Sequence, residues 1–436
     1  MRLAVVGSGV SGLVAAYLLS QEHYVALFER DGRLGGHAHT HQVQLGGRTW
    51  LLDSGFLVFN HRTYPNFVRL LRRLGVRSQA TEMSHSVRCR RCRLEYSNRF
   101  PLGLFAQGRR LYEPRHLRML LDWPRFAGHA LRFLSRPPAG AGVTGVAGVA
   151  GVDAMGGHAG ETSLGGFLDS GRYSDGFVRH CLLPFGGAVW SSPREDVRRF
   201  PARPFLQFMD NHGMLTLYNA PRWRTIVGGS KSYVDAIAGA VSGPISLGTP
   251  VCRITREAEG VTLHGEAGAQ WQFDAVVIAT HADQALRLLG DPSLEERAAL
   301  GQFRYAHNRA VLHTDEAVLP AARGARASWN SDVADCAEEG SAVRVSYDLN
   351  RLQRLKRAPQ FCVSLNQAGE LQGETLAAMD YAHPIMDAAA FAGQPMVEAL
   401  NGRRRTYYCG AHLRYGFHED GVVSALRVAA RFGISL

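Results

Sequence analysis

The sequence predicts an α/β fold class, and three stretches of the chain carry that prediction. A short apolar run at residues 3–6 enters a G-x-G-x-x-G pattern at residues 7–12, and a helical pattern follows directly. A second apolar run at residues 24–28 ends at Glu29, and a continuous apolar run at residues 273–280 is typical of a parallel strand buried on both faces. Strand, glycine turn, helix and second strand in this order predict a Rossmann-type nucleotide-binding domain.

The glycine pattern at residues 7–12 predicts a turn that binds a pyrophosphate. Gly7 permits the tight turn, Gly9 lets a phosphate approach the backbone, and Gly12 lets the helix pack closely on the strand. The phosphates then meet the helix N-terminus, where free N–H groups and the helix dipole favour negative charge. Glu29 stands where a carboxylate accepts hydrogen bonds from the adenosine ribose hydroxyls. We therefore expect a bound dinucleotide.

The residues beyond this acid favour a flavin over a nicotinamide cofactor. The segment 30–37 carries a further glycine pair, which again brings the backbone close to a ligand. Nicotinamide-binding domains do not need such a pair, whereas large flavoproteins place a second phosphate contact there. The segment 53–56 ends a strand with small residues, and the flat edge of an isoalloxazine fits against them. A plain turn at the strand end is the alternative for this last segment.

Three helices and one strand are expected in addition to these motifs. Residues 62–74 carry apolar side chains at helical spacing, and Gly75 is a good stop. A second helix is expected over residues 232–240, after a glycine-rich turn. The last stretch holds a buried strand at residues 406–411 and a final helix at residues 422–432. These elements complete the layers that cover the expected parallel sheet.

The charge of the chain admits several kinds of partner. The formal net charge is +11 and comes almost wholly from arginine, since Lys231 and Lys356 are the only lysines. Scattered solvated arginines explain this charge as well as a binding surface does. Residues 102–134 alternate basic and apolar side chains, which predicts peripheral contact with an anionic membrane or else a solvated helix face. Net charge is the only feature that favours nucleic-acid binding, and it is weak evidence by itself, so we expect no nucleic-acid partner.

The apolar runs and the cysteines bear on location. No uncharged apolar run reaches the roughly 18 residues of a membrane span, and the first run enters the glycine pattern without a cleavage site. The seven scattered cysteines fit a reducing compartment. We expect a cytoplasmic protein, with peripheral contact at the inner membrane surface as a further option. Cys89 and Cys92 form the one close pair. No second pair or histidine cluster follows, so we expect a hairpin turn there and no metal site.

The same patterns divide the chain into two discontinuous domains. The nucleotide-binding domain is expected to comprise residues 1–80, 226–300 and 396–436. Residues 81–225 and 301–395 then form an α+β substrate-binding domain. Residues 137–160 are low in complexity, with repeated Gly-Val-Ala steps, and predict a flexible insertion.

Together these residues resemble the flavin amine oxidase and phytoene desaturase superfamily, whose cofactor domain is of the GR2 type. The resemblance rests on Gly7-x-Gly9-x-x-Gly12, Glu29, Arg33-Leu-Gly35-Gly36, Asp53-x-Gly55, the strand at Val251, Ala279-Thr280 and Cys409-Gly410. Within it, the chain is similar to a subgroup of predicted NAD/FAD-binding oxidoreductases, through Phe59-Asn60-x-Arg62-Thr63-Tyr64-Pro65, Asn211-His-Gly213, Ser328-Trp329-Asn330, Asn350-Arg351-x-Gln353 and Phe417-His-Glu-Asp420. Genes of that subgroup commonly accompany cyclopropane-fatty-acyl-phospholipid synthase-like methyltransferases. The resemblance implies FAD and suggests a lipid acyl chain as substrate.

The resemblance also implies which residues contact FAD. Carried over position by position, they are Gly7, Ser8, Gly9, Val10, Ser11, Gly12, Glu29, Arg30, Gly35, Gly36, His37, Gly55, Phe56, Val251, Thr280, Gly410, Ala411, Asp420, Gly421 and Val422. Those up to His37 would contact the ribose and the pyrophosphate. Gly55 and Phe56 would face the flavin, and Val251 the adenine side. Gly410, Ala411 and the helix start at residues 420–422 would face the ribityl chain and the pyrimidine ring.

Departures from the superfamily pattern bear on catalysis. Amine oxidases carry a flavin-contacting lysine before an apolar strand. The comparable run here is Asn308-Arg309-Ala-Val-Leu, so that lysine is absent or replaced by Arg309. Cys409 is not the counterpart of the cysteine that attaches flavin in some relatives, so we expect non-covalent FAD. Relatives place an aromatic side chain beside the flavin where Phe417 and His418 stand. These two residues and Arg309 are the catalytic candidates.

The resemblance leads to one preferred function and three alternatives. The preferred function is an FAD-dependent oxidoreductase that desaturates or oxidises a lipid acyl chain by hydride transfer to flavin N5. The first alternative is an amine oxidase, and the missing lysine argues against it. A double-bond isomerase would need no external electron acceptor. From a different class, the chain could be a non-catalytic flavin-binding partner of a lipid methyltransferase, with residues 102–134 as its docking face.

Overall fold

A computed structural model describes residues 1–137, 162–216, 220–338, 340 and 343–436. The insertion predicted at residues 137–160 lies outside the described residues from its second position onward. The strands are β1 (Arg2–Val6), β2 (Tyr24–Phe28), β3 (Thr40–Leu45), β4 (Arg48–Asp53), β5 (Phe59–Asn60), β6 (Ser78–Ala80), β7 (His85–Cys89), β8 (Leu94–Ser97), β9 (Trp223–Ile226), β10 (Ile245–Ser246), β11 (Val251–Arg256), β12 (Val261–Gly265), β13 (Gln270–Phe273), β14 (Ala275–Ile278), β15 (Arg304–His313), β16 (Trp329–Val333), β17 (Val345–Asp348), β18 (Cys362–Leu365), β19 (Thr375–Ile385) and β20 (Thr406–Tyr408).

The helices alternate with these strands in the first third of the chain and then cluster between residues 114 and 211. They are α1 (Val10–Leu19), α2 (Pro65–Arg73), α3 (Pro114–Leu134), α4 (Leu164–Gly171), α5 (Asp175–Phe177), α6 (Leu183–Trp190), α7 (Arg194–Arg199), α8 (Ala202–Asn211), α9 (Lys231–Ala238), α10 (Ala282–Leu288), α11 (Leu294–Leu300), α12 (Leu349–Leu352), α13 (Ala388–Leu400) and α14 (His418–Ala430). None of the helices in the described residues combines the length and hydropathy that a membrane crossing requires.

A parallel sheet of strand order β10-β2-β1-β14-β20, called here the nucleotide sheet, confirms the predicted α/β fold class. Its central strands are apolar on both faces because helices cover both sides. Helix α1 packs closely on the sheet at Gly12, where an added Cβ would lie 1.8 Å from the carbonyl oxygen of Gly7. The glycine pattern is therefore required for the contact between helix and strand.

A second sheet, called here the mixed sheet, has the order β19-β15-β18-β17-β16-β7-β8. Strands β15 and β19 pair as a long antiparallel ribbon, while β7 joins β16 in parallel. The strands of this sheet all come from the two segments expected to form the substrate domain, although the exact domain limits stay a prediction. The predicted hairpin between Cys89 and Cys92 is confirmed, since β7 and β8 pair in antiparallel register across that turn.

The helices between residues 114 and 211 pack their apolar faces into one aromatic core. Phe126, Phe167, Phe177 and Phe205 are fully buried there. The longest helix, α3, buries one face and exposes the other, so the alternating segment expected at residues 102–134 is in large part an amphipathic helix.

A buried ion-pair network joins the nucleotide sheet to its neighbours. Arg256 and Glu296 have side chains that are 1% and 5% exposed, and the Arg256 Nη2 donates to Glu296 Oε2 over 2.9 Å. The Tyr408 hydroxyl donates to the other oxygen of Glu296 over 2.7 Å, and Arg256 Nε donates to Asp291 over 3.0 Å. The network ties β11, α11 and β20 together in a low-dielectric environment.

Candidate active site

A cavity of about 920 Å³ lies between the carboxyl ends of the nucleotide-sheet strands and the mixed sheet. Residues that follow β1, β2, β14 and β20 line one side of it, and residues of β15 and β19 line the other. The carboxyl ends of parallel strands are where open α/β sheets bind their ligands. The sheet topology therefore places the cavity where the glycine pattern predicts a dinucleotide.

The N-terminus of α1 opens into this cavity without a side-chain cap. Gly9 is the N-cap residue, no side chain accepts from the first turn, and no acid lies in that turn. An added Cβ at Gly9 would meet no atom within 4 Å, so a side chain there would project into the cavity. The backbone of Gly35 and Gly36 closes over the turn, with Gly35 N donating to the carbonyl oxygen of Ser8 over 3.0 Å. Free N–H groups and open space together form an anion-binding site.

The carboxylate of Glu29 is held at the adjacent end of β2. The backbone N–H and the hydroxyl of Ser8 donate to its Oε2 over 2.9 and 2.6 Å, and the N–H of Asp31 donates to its Oε1 over 2.9 Å. Both oxygens are therefore fixed at the cavity wall beside the free helix terminus. This is the position that a ribose-binding acid requires.

His37 presents an unsatisfied polar atom at the cavity. Its ring stacks on Tyr381 at 4.7 Å and lies 5.2 Å from the ring of His383. Its Nε2 is buried and has no hydrogen-bond partner among the described residues. Burial, with the neighbouring His383 and His281, holds the pKa of His37 well below its usual range. Because buried polar atoms are rarely left unpaired, this nitrogen indicates a bound polar ligand.

His418 and Phe417 also line the cavity, and Phe56 connects His418 to His37. The ring of His418 stacks on Phe56 at 3.7 Å and 9°, and the N–H of Phe56 donates to the carbonyl oxygen of His37 over 2.9 Å. The Nε2 of His418 lies 2.7 Å from the hydroxyl of Tyr233. Burial lowers the pKa of His418 to about 3, so the ring is uncharged at neutral pH. Phe417 stacks on Phe208 at 4.8 Å, so this part of the wall is aromatic.

A family model described as flavin-containing amine oxidoreductase matches residues 10–334 of the chain. The chain belongs to the flavin-containing amine oxidoreductase family. It is accordingly an FAD-dependent oxidoreductase, as the sequence predicted. The curated proteins contain no match to it.

Solved structures show how widely this fold is shared. The chain is similar to a CLA-producing fatty acid isomerase from P. acnes, with 15% identity over 99% of this chain and 98% of that chain and a TM-score of 0.69. It is similar to putrescine oxidase bound to putrescine, with 14% identity, 99% of both chains and a TM-score of 0.65. It is also similar to cyclohexylamine oxidase from Brevibacterium oxydans IH-35A, with 14% identity, 99% and 98% of the two chains and a TM-score of 0.64. At these identities the likeness shows the fold alone.

The residues of the cavity fit the FAD that the family carries. The open helix terminus at Gly9 suits the pyrophosphate, Glu29 suits the ribose, and the unpaired nitrogen of His37 suits a polar cofactor atom. All seven cysteines lie in the described residues, and of these only Cys252 lines the cavity. It lies three residues after Thr249, whose N–H donates to the carbonyl oxygen of Glu29, so this thiol lies on the Glu29 side of the cavity. Non-covalent attachment of FAD stays a prediction.

The structure brings most of the predicted residues of this flavoprotein to one cavity. Those that line it are Gly7, Ser8, Gly9, Val10, Ser11, Glu29, Arg30, Gly35, Gly36, His37, Gly55, Phe56, Val251, Thr280, Gly410, Ala411, Phe417 and His418. They come from segments up to 400 residues apart in the sequence. Their individual contacts with FAD stay predictions.

Four predicted cofactor residues lie beside the cavity wall instead of lining it. Gly12 packs α1 on β1, and an added Cβ at Gly421 would lie 2.6 Å from the Val10 side chain. Asp420 accepts from the N–H groups of Tyr415 and Phe417, and Val422 is fully buried. Since Asp420 caps the helix, α14 begins at His418, four residues before its predicted start. These residues position the wall and do not form it.

The structure does not bring Arg309 to the cavity, which corrects its candidacy as a catalytic residue. His307 on β15 still lines the cavity, but the strand has left it two residues later, and the side chain of Arg309 is exposed. The two lysines, Lys231 and Lys356, do not line the cavity either. The cation that amine oxidases place beside their flavin thus has no counterpart in this strand.

Sequence patterns did not reveal the contribution of β19. Tyr381 and His383 line the cavity, and the Tyr381 hydroxyl lies 2.8 Å from the hydroxyl of Ser54. The two-residue spacing predicts that both side chains share one face of a strand. It does not predict which face meets the cofactor. Trp223 and His212, which follow no such pattern, also line the cavity.

Proposed function

We propose that this oxidoreductase acts on an apolar acyl chain, such as that of a fatty acid or a phospholipid. The observation that supports this is the lining of the cavity beyond its cofactor end. That part of the lining is aliphatic and aromatic, and includes Leu57, Val58, Met83, Phe185, Val189 and Leu365. A surface of this kind gains free energy by removing apolar substrate from water, at about 25 cal/mol per Å².

The charges around the cavity argue against an amine substrate. Among the described residues, the acids that line it are Glu29, Asp31 and Asp380. The first two lie at the ribose end, and Asp380 is exposed. A substrate ammonium in the apolar part would therefore be desolvated without a carboxylate partner, which costs several kcal/mol. This reasoning favours an uncharged carbon chain.

When bound, FAD supplies the acceptor for a hydride from a substrate C–H bond. The contribution of this chain is to hold the substrate carbon in place and to keep water out. Phe417 and Phe208 form a rigid aromatic wall for that purpose. His383 and His418 stay uncharged because burial lowers their pKa to about 4 and about 3. An allylic carbon is the favoured target, because hydride removal from an unactivated alkyl carbon is difficult.

Anaerobic reduction of the bound flavin tests the proposal. The yellow protein is mixed without oxygen with linoleate, with unsaturated phosphatidylglycerol, with putrescine or with cyclohexylamine. We expect bleaching of flavin absorbance by an acyl substrate and a product two hydrogens lighter. Bleaching by an amine alone would establish an amine oxidase. A product of unchanged mass with a moved double bond would establish an isomerase, and no reaction with any of them would favour a binding partner of a methyltransferase.

A bulky substitution in the apolar part sharpens this experiment. Val189→Trp is expected to lower the rate of flavin reduction by long acyl chains at least about tenfold, because the indole fills space that the chain needs. Val227→Trp is the matched control, since Val227 is 37% exposed and does not line the cavity. Equal loss in both variants would contradict a substrate site in this part of the cavity.

An exposed surface supports the further proposal of peripheral contact with an anionic membrane. The exposed face of α3 carries Leu117, Leu121 and Leu131 interleaved with Arg118 and Arg125. Just before it, three large apolar side chains are more than four-fifths exposed, namely Phe100, Leu102 and Tyr112. Asp122, the acid of α3, is buried and pairs with Arg118 and Arg125, so it neutralises only part of their charge. The exposed Arg115 and Arg132 add further positive charge to the helix. The face therefore presents apolar and cationic groups together, which suits an anionic lipid surface.

Vesicle binding tests this surface. The protein is expected to sediment with phosphatidylglycerol vesicles and not with phosphatidylcholine vesicles, and to be released as salt is raised. Leu121→Glu should weaken binding by about fivefold or more, because each charged side chain near such a surface changes the binding free energy by roughly 1 kcal/mol. Leu294→Glu, at a position 83% exposed on another helix, is the control and should bind normally. Equal binding to both lipids would show that the charge plays no part.

A further inference from the structure

Three cysteines and a histidine outside the FAD cavity converge on one point. They are Cys89, Cys92, Cys336 and His180, and one ligand atom from each lies within 4.8 Å of all the others. The thiols of Cys92 and Cys336 are 3.4 Å apart, although 244 residues separate them in the sequence. A tetrahedral zinc ion with bonds of 2.3 Å to sulfur holds its sulfur ligands about 3.8 Å apart. The geometry points to a structural zinc site of the Cys₃His type, which we propose as a second functional centre of this protein.

Local conformation aims these ligands at one another. Cys89 ends β7, and the turn that carries Cys92 closes through Arg93, whose φ of 52° lies in the left-handed region. This conformation is unfavourable for a residue other than glycine and persists where surrounding structure imposes it. His180 lies in a π-helical turn, Val178–Leu182, a distortion often found at functional sites. A left-handed turn and a π-helical turn therefore meet at the proposed ion.

The imidazole of His180 supplies an independent sign of a missing ligand. Its Nε2 is buried and has no hydrogen-bond partner in the described part of the chain. A disulfide between Cys92 and Cys336 would account for those two thiols, but it would leave this nitrogen without a partner. A metal ion accounts for all four groups. Cys92 is exposed, so an ion can reach the site from solvent.

Arginine side chains fix the two segments that carry Cys92 and Cys336. The Arg110 guanidinium donates to the carbonyl oxygens of Cys92 and Arg93 over 3.1 and 2.9 Å. Arg91 pairs with Asp335, next to Cys336, over 2.8 Å. Arg110 is itself paired with Glu113, so the role of both arginines is to hold the backbone beside the proposed ligands.

The proposed ion would join three segments that are far apart in the sequence. Cys89 and Cys92 belong to the edge hairpin of the mixed sheet, Cys336 follows β16, and His180 belongs to the helical layer. With four protein ligands the site is closed, so its role is structural and independent of the oxidoreductase substrate. The sequence predicts a hairpin without a metal because no further ligands lie near Cys89 and Cys92 along the chain. The other two ligands, His180 and Cys336, come from distant segments.

Metal analysis of the flavoprotein tests the proposal. Protein expressed with added zinc and purified without chelators is expected to hold a single zinc ion per chain by inductively coupled plasma mass spectrometry. Cobalt exchanged into it should give the visible absorption of a tetrahedral thiolate site. Cys336→Ser and His180→Ala should each reduce bound zinc to a small fraction of the wild-type amount. Cys252→Ser, which removes a thiol outside the cluster, should keep full zinc content.

A second measurement covers the case in which these variants fail to fold. Zinc removed from the folded wild-type protein by a chelator should lower the thermal midpoint, and added zinc should restore it, while the flavin spectrum is retained throughout. Wild-type protein that contains no zinc and gives no tetrahedral cobalt spectrum would overturn the proposal. So would a disulfide between Cys92 and Cys336 found by peptide mapping of protein whose free thiols are alkylated at cell lysis without added reductant.

Discussion

Gly9→Glu is expected to give a folded protein that purifies without FAD. The new side chain would project into the cavity at the free N-terminus of α1, because an added Cβ there meets no protein atom within 4 Å. Its carboxylate would take the place of the pyrophosphate and repel it. We expect FAD to bind more than about 100-fold more weakly, a loss of about 3 kcal/mol or more. Flavin absorbance of the purified protein and titration of the apoprotein with FAD measure the effect.

Gly32→Glu is the matched control for this experiment. Gly32 is exposed, has open space around it and does not line the cavity, so the same carboxylate there should leave FAD binding unchanged. Circular dichroism of both variants should match the wild-type protein. Tight FAD binding by Gly9→Glu would mean that the pyrophosphate does not lie at this helix terminus.

Glu296→Ala is expected to destabilise the nucleotide sheet strongly. The substitution would leave the guanidinium of Arg256, 1% exposed, with Asp291 but without its buried carboxylate partner. It would also remove the acceptor of the Tyr408 hydroxyl and the capping contact to the N–H of Ser293. Breaking a buried pair from one side costs about 3–5 kcal/mol. Urea unfolding monitored by tryptophan fluorescence measures the change.

The pH dependence of this effect has a definite sign. Burial by itself would raise the pKa of Glu296, but the hydrogen bonds from Arg256, Ser293 and Tyr408 outweigh it and hold the pKa below its usual range. A lowered pKa means that the stabilisation is complete above the ordinary glutamate pKa and is lost as the pH falls through the lowered value. The difference between wild type and Glu296→Ala should therefore shrink in acid. An exposed acid in the turn after β11 supplies the control, since Glu259→Ala should leave the unfolding midpoint unchanged. A difference that stays constant down to pH 3 would contradict the assignment.

The cofactor end of the site can be predicted from the sequence because the residues that form it interact with others nearby in the chain. A strand, a glycine turn and a helix terminus follow one another within residues 2–19, and each residue type has one stereochemical task. Continuous apolar runs likewise predict the central strands, and helical periodicity predicts α2. The start of α14 is less predictable. The Asp420 carboxylate accepts from the N–H of Phe417, so the helix begins at His418 and not at the predicted residue 422.

The substrate end cannot be read in the same way. Alternation in a strand shows which side chains share a face, but it does not show where the strand leaves a cavity. Arg309 therefore looked like a replacement for a flavin-contacting lysine, while the structure leaves it exposed on β15. For the same reason Tyr381 and His383 gave no signal, although they line the cavity beside His37.

By itself the sequence determined the α/β fold class, the glycine turn of the nucleotide-binding domain and the family, because these depend on contiguous motifs whose residues interact with their near neighbours. Only the tertiary structure decided which side chains from distant segments meet in the cavity and in the cysteine cluster. It brought apolar side chains of the helical layer and the mixed sheet to the far end of the cavity, and it brought Cys336 and His180 to the Cys89 and Cys92 hairpin. Contacts between residues hundreds of positions apart depend on how whole sheets pack, and no local pattern encodes that packing.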